Sequence, residues 1–255
     1  MEIDSYSYIN RMSKIHPVEK LLFAIMTMLL CFWFDRYTNL LVVFMMFIII
    51  VYIAKIPYKV YIKLILIPFS FLIISVLTIV INVLDDKSVA IISIKVFGAF
   101  IGITSDGINT AFNLTSRTLA LVSCLYFLTL TTPITDIVDV LEKIKIPMLF
   151  LELIQITYRL IFVLLNAAKE IYISQDSRLG YSKVKNGYRS LGFLISSLFV
   201  KSYRDSQNLY LALEARGYKG DLKVISKKQK INIRNCVIIF LIELILINLS
   251  LFLRR

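Results

Sequence analysis

Five apolar runs, at about 18–34, 38–55, 61–84, 108–131 and 235–253, set the strongest limit on what this chain can fold into. At a rise of about 1.5 Å per residue, a helix of roughly 20 residues crosses the ~30 Å hydrocarbon layer of a membrane. Backbone polar groups in hydrocarbon must be satisfied within the protein, so such runs are helices. Hydrophobic residues make up 58% of the 255 positions and charged residues only 18%, with a mean hydropathy of +0.77. That balance excludes a water-soluble domain of this size. The expected fold is an all-α polytopic membrane protein with about five transmembrane helices and a cytoplasmic coupling-helix region.

The formal charge of +12 is concentrated. Residues 142–234 carry 17 Lys/Arg against 7 Asp/Glu, and basic segments between spans are retained on the cytoplasmic side, where they also lie against anionic headgroups. Arg11, Lys14 and Lys20 flank the first run, and Lys55, Lys59 and Lys63 separate the second from the third. Arg36, Lys87 and Lys95 then fall outside, giving a cytoplasmic N-terminus and a multi-pass protein of a prokaryotic cell membrane. Five spans place Arg254 and Arg255 outside, against the rule, so an extra span or a short crossing tail is needed there. The organisation is a transmembrane part at 1–132, a basic cytoplasmic segment at 133–234 and a last transmembrane helix at 235–255. Residues 1–17 lack the apolar core and cleavage site of a secretory signal, so the first span is expected to remain uncleaved.

Two stretches are ambiguous. Residues 88–104 are β-branched and interrupted by Gly98 and Gly102, which reads as an outer-side excursion or hairpin. Residues 147–168 begin apolar but carry Glu152 and Arg159, which reads as a helix entering the cytoplasmic layer. Trp33, Phe34 and Tyr37 at the first hairpin are expected at the headgroup boundary. Pro68 frees one carbonyl in the third span, so a kink is expected there. Cys31, Cys124 and Cys236 show no C-x-x-C spacing and are expected to be free, buried thiols.

Catalytic chemistry is sparse. No G-x-x-x-x-G-K-[ST] phosphate loop occurs, so the chain is not itself an ATPase. The one histidine, His16, precedes Pro17 at a helix entry, and a metal site normally draws on several ligands together. No catalytic residues and no metal ligands are therefore assigned, and nothing points to nucleic acid. Two ionisable residues lie within spans, Arg117 and Glu243, and both are expected to face the protein interior, where they can pair.

The basic segment carries two similar tips. In Arg204–Arg216 the positions Leu209, Ala212, Leu213 and Arg216 share one helical face, and Gly217 and Tyr218 follow. Earlier, Arg178 stands ahead of Gly180 and Tyr181 in the same manner. An arginine in a last helical turn with glycine beyond it is also an ordinary C-cap with a snorkelling side chain. These residues, with Ile15-His-Pro-Val-Glu-Lys20, the Thr131-Thr-Pro133 turn, Ile146-Pro147, Tyr158-Arg159, Leu198-Phe-Val-Lys-Ser202 and Ala212-Leu-Glu-Ala-Arg-Gly-Tyr218, resemble the T component of energy-coupling factor (ECF) transporters, within its CbiQ-like group of cobalt systems.

The resemblance covers nearly the whole chain. It implies that Ser177, Arg178, Leu179 and Ala215, Arg216, Gly217 end coupling helices that dock on two ATPase subunits. It also implies a separate, CbiM-like substrate-binding membrane subunit, with ATP and magnesium used by the ATPases and no cofactor bound here. Cobalt is the expected cargo, with nickel as the runner-up. A self-sufficient secondary transporter would need repeats or paired helix breaks, and the chain has neither.

Overall fold

A computed structural model describes residues 2–84, 90–96, 99–218 and 232–253. Lys87, Gly98, Arg254 and Arg255 lie outside the described residues. The chain forms nine α-helices among the described residues: α1 (Glu2–Ile9), α2 (Pro17–Cys31), α3 (Arg36–Ile48), α4 (Tyr58–Val80), α5 (Ser105–Thr131), α6 (Ile134–Lys143), α7 (Met148–Asp176), α8 (Val184–Ala215) and α9 (Ile233–Leu253). It is an all-α polytopic architecture with one short β excursion. The contacts divide it into two compact units, residues 1–136 with 228–255, and residues 137–227.

In the first unit α5 is the central helix, packing against α1, α2, α3 and α4, while α9 packs against α2 and α3. Its buried positions are Gly107, Ala111, Ser116, Ala120, Ser123, Cys124, Phe127, Leu130 and Thr131. The small residues in that stripe let neighbouring backbones approach, which matters in lipid because dispersion, rather than expulsion of water, holds helices together. Phe127, buried in the last turns of α5, meets Phe23 edge to face at 5.5 Å.

The third run confirms how lipid-embedded helices treat proline. α4 continues unbroken through Pro68, which cannot donate to the carbonyl of Leu64. The Tyr126 hydroxyl of α5 donates to that oxygen instead, at 3.0 Å, so a neighbouring helix satisfies the freed group.

Several boundaries differ from the sequence expectation. The run at 61–84 is helical only to Val80. Ile81–Leu84 is strand β1, paired antiparallel with β3 (Ala99–Thr104), which also pairs antiparallel with β2 (Ala90–Val96). The excursion at 88–104 is thus a hairpin to which the end of the third run adds a strand, as its β-branched content favours. Among the described residues, five helices are by length and composition able to cross a membrane: α3 with its π-helical extension (Arg36–Ile53), α4, α5, α7 and α9. The first run is shorter than expected, because α2 has 15 residues and spans only about 22 Å. The ambiguous stretch at 147–168 is instead part of the 29-residue α7. Trp33 and Tyr37 are exposed, but Phe34 is turned into the core, and Cys236 is exposed while Cys31 and Cys124 are buried.

Replacing Tyr126 with Phe should cost about 1–3 kcal/mol by orphaning the Leu64 carbonyl. In a Pro68→Ala background, where residue 68 can donate within its own helix, the same change should be nearly neutral. Thermal unfolding of the four purified proteins in one detergent provides the cycle.

Candidate functional site

The second unit is built on two long helices, α7 of 29 residues and α8 of 32, joined by the turn at 177–183 and packed on each other. Tyr218, just beyond α8, donates from its hydroxyl to Glu152 Oε2 at 2.7 Å. Glu152 lies in the first turns of α7 and is only 3% exposed. The end of α8 is thereby fastened beside the start of α7, so the pair is an antiparallel hairpin. The charge that made 147–168 ambiguous has a specific partner.

Both arginine motifs sit on the same backbone device. The residue after each arginine, Leu179 and Gly217, holds the left-handed conformation, with φ of 59° and 75°. The N–H of Leu179 bonds to the carbonyl of Asp176 at 2.9 Å, and that of Gly217 to Glu214 at 2.9 Å. The next N–H reaches back five residues, from Gly180 to Gln175 at 2.9 Å and from Tyr218 to Leu213 at 3.0 Å. This is the Schellman C-terminal motif at both ends. The equivalent residues are therefore Leu179 and Gly217, and Gly180 is not the left-handed residue that its spacing from Arg178 suggested. Aligned in this way, Ser177-Arg178-Leu179 matches Ala215-Arg216-Gly217 position for position.

The two tips are held differently. A leucine in the left-handed region costs roughly 1–2 kcal/mol, and Leu179 is also 72% exposed. Its turn is braced by neighbours: Ser190 Oγ donates to the Gly180 carbonyl at 2.9 Å, Gln175 Nε2 donates to the Ser190 carbonyl at 3.1 Å, and the Tyr181 hydroxyl donates to Gln175 Oε1 at 2.8 Å. The Tyr181 ring also lies 4.7 Å from that of Tyr172. Gly180 is required by space, because a Cβ there would stand 2.8 Å from both the Gln175 carbonyl oxygen and Ser190 Oγ. At the other tip glycine takes the left-handed conformation at no steric cost, and the neighbouring Tyr218 is held by Glu152.

Arg178 and Arg216 are both exposed, and neither guanidinium makes a hydrogen bond or ion pair among the described residues. The 32 residues of α8 separate the two tips by about 48 Å. Each presents five donors in a rigid fork, which suits carboxylates and backbone carbonyls of a protein surface.

The intramembrane charges do not meet. Glu243 is 5% exposed and accepts from Thr27 Oγ1 at 2.6 Å through Oε1, while its Oε2 is buried without a partner among the described residues. Arg117 is half-buried, with its Nε shielded and also unpartnered. Arg117 and Glu243 form no ion pair, and the partner Glu243 does have is Thr27 of α2. The bracing network around Leu179 and the Tyr218–Glu152 contact escaped sequence reasoning. A carboxylate inside an apolar run was the available signal for the latter, but it does not name a partner.

Membrane-length helices and a helical hairpin with two matched arginine tips make the architecture of a polytopic membrane protein. A family model described as cobalt transport protein CbiQ matches residues 10–228. The cobalt transport protein CbiQ of Salmonella typhimurium is 34% identical over 155 residues, covering 61% of this chain and 69% of that protein. A fused cobalt transport protein CbiMQ of Methanocorpusculum labreanum is 35% identical over 145 residues, 56% of this chain and 24% of the fusion. The energy-coupling factor transporter transmembrane protein EcfT of Staphylococcus aureus is 26% identical over 224 residues, 84% of this chain and 81% of that protein. The chain belongs to the CbiQ family and is a CbiQ-like T component of the ECF transporters.

Three outcomes follow from this geometry. Gly180→Ala should lower stability by about 1–3 kcal/mol through overpacking, whereas Gly192→Ala, in open space on α8, should raise it by about 1 kcal/mol; thermal unfolding measures both. A double swap, Arg117→Glu with Glu243→Arg, should restore nothing that the single changes lose, as read by expression and thermal stability.

Proposed function

We propose that this chain is the coupling subunit of an ECF-type transporter for cobalt uptake, carrying the motion of two ATPase subunits to a separate substrate-binding membrane subunit. The observation that carries this reading is the pair of equivalent, exposed arginines, one at each end of α8. Two ATPase subunits offer two similar surfaces, and two similar tips about 48 Å apart suit them better than one. Nucleotide-driven changes in the gap between the ATPases would then act on both ends of a single 32-residue lever. ATP and magnesium belong to those partners, and this chain contributes neither a catalytic residue nor a metal ligand.

The fusion of a CbiM part to a CbiQ part in Methanocorpusculum labreanum supports a CbiM-like membrane subunit as the neighbour that holds the cargo. The basic surplus of residues 142–234 supports a cytoplasmic place for the hairpin, in the cell membrane of a prokaryote with the N-terminus inside.

Capture of the ATPases by wild-type chain, Arg178→Ala, Arg216→Ala and the double variant tests the reading, with ATP hydrolysis and cobalt uptake followed in parallel. Losing a charge-assisted contact should weaken capture roughly 10- to 100-fold per arginine. The double variant should lose ATPase subunits or hydrolyse ATP without uptake. Unchanged assembly, hydrolysis and uptake in the double variant would show ordinary helix caps and end the coupling role.

A further inference from the structure

The segment Ile15-His-Pro-Val-Glu-Lys20 contains two charged residues that are almost wholly enclosed, Glu19 and Lys20, each 2% exposed. The proposed docking role uses neither of them. His16 and Pro17 account for the helix start, since His16 Nδ1 accepts the Val18 N–H at 3.1 Å and Pro17 stands at the first helical position. The two charges that follow serve other helices. Glu19 accepts the backbone N–H of Asn232 at 2.7 Å through Oε1 and Asn235 Nδ2 at 2.9 Å through Oε2. Lys20 Nζ donates to the carbonyl of Thr131 at 2.7 Å. Asn10 adds contacts from Nδ2 to the carbonyls of Leu130 and Thr131, at 3.2 and 3.4 Å.

These partners lie at two special places in the chain. Thr131 is the last residue of α5, and Asn232 immediately precedes α9. The chain passes from the first compact unit to the second after Asp136 and returns at Lys228. One short segment therefore grips the chain a few residues before it leaves the bundle and a few residues after it comes back. The charges match the helix ends they touch. The carboxylate sits at the positive N-terminal end of α9 and the ammonium at the negative C-terminal end of α5.

We infer that Glu19 and Lys20 are positioning residues for coupling: they join the two crossings of the chain into one joint, so that movement of the 137–227 unit turns α5 and α9 together. The inference rests on the coupling role proposed above. Without the joint each crossing can yield separately, and displacement of one is not passed to the other. With it, displacement at either crossing is delivered to α5, around which the bundle packs. A buried ion at each helix end suits this task, since removing one leaves an orphaned partner and a discrete opening rather than a gradual softening.

The full complex, with this chain, two ATPase subunits and the substrate-binding subunit, is reconstituted in vesicles with Glu19→Ala, Lys20→Met, Asn235→Leu or Lys20→Arg. Cobalt uptake and ATP hydrolysis are measured per assembled complex. The first three variants should hydrolyse ATP at near wild-type rates while uptake per ATP falls about tenfold or more; Lys20→Arg, which keeps a cationic donor for Thr131, should remain coupled. Parallel loss of hydrolysis and uptake, or no change in either, would overturn the inference.

Hydrogen exchange covers a variant that assembles poorly. In the solubilised chain Glu19→Ala should speed exchange at the Asn232 amide while the amides of α5 stay protected. No acceleration at Asn232, or loss of protection throughout α5, would mark these contacts as general scaffold and also overturn it. Failure of the Arg178 and Arg216 variants to disturb transport would bring down the coupling role itself. Uncoupling by the arginine variants with none by the Glu19 and Lys20 variants would bring down this inference alone.

Discussion

Hydrocarbon offers no hydrogen bonds, so a polar group that enters the bundle gains most from a partner on a neighbouring helix, and several helix contacts of the first unit carry such a partnership. The carbonyl freed by Pro68 is taken by Tyr126 of α5. The carboxylate of Glu243 in α9 is taken by Thr27 of α2. Glu19 and Lys20 of α2 hold the start of α9 and the end of α5. Between these fixed points the packing is carried by small residues and by Phe23 against Phe127, contacts that confer closeness but little orientation.

The second unit obeys a different rule. No residue of α8 is buried, and its antiparallel arrangement with α7 depends on specific polar fastenings at both ends. Glu152 receives Tyr218 at one end, and Gln175, Ser190 and Tyr181 brace the turn at the other. The strained backbone of Leu179 is held by that bracing at an exposed tip. Left-handed leucine is costly, and strain that persists on a surface accompanies use of that surface more readily than it accompanies packing.

Much of this was legible in residue order. Apolar runs, proline and the glycine near each arginine are local signals, and they located four of the five membrane-length helices, the hairpin near 88–104 and the two tips. Errors arose where a local signal had two structural outcomes. The glycine nearest Arg178 suggested a left-handed residue, yet Gly180 is needed for the close approach of Ser190 and the carbonyl of Gln175. Glu152 suggested an end to membrane-like character, but α7 runs through it because Tyr218 satisfies it. Arg117 and Glu243 were matched by chemistry alone, and the structure does not bring them together.

By itself the sequence determined that the chain resides in a membrane, that it is helical, and that a basic segment carries two arginine tips, because hydropathy, charge and turn chemistry act over a few neighbouring residues. Only the tertiary structure decided which polar group answers which. Glu19 and Asn235 lie 216 residues apart, Lys20 and Thr131 111 apart, and Tyr126 and Leu64 62 apart. No periodicity connects residues at such distances. Their pairing exists only once the helices have packed, because it joins groups that are far apart along the chain.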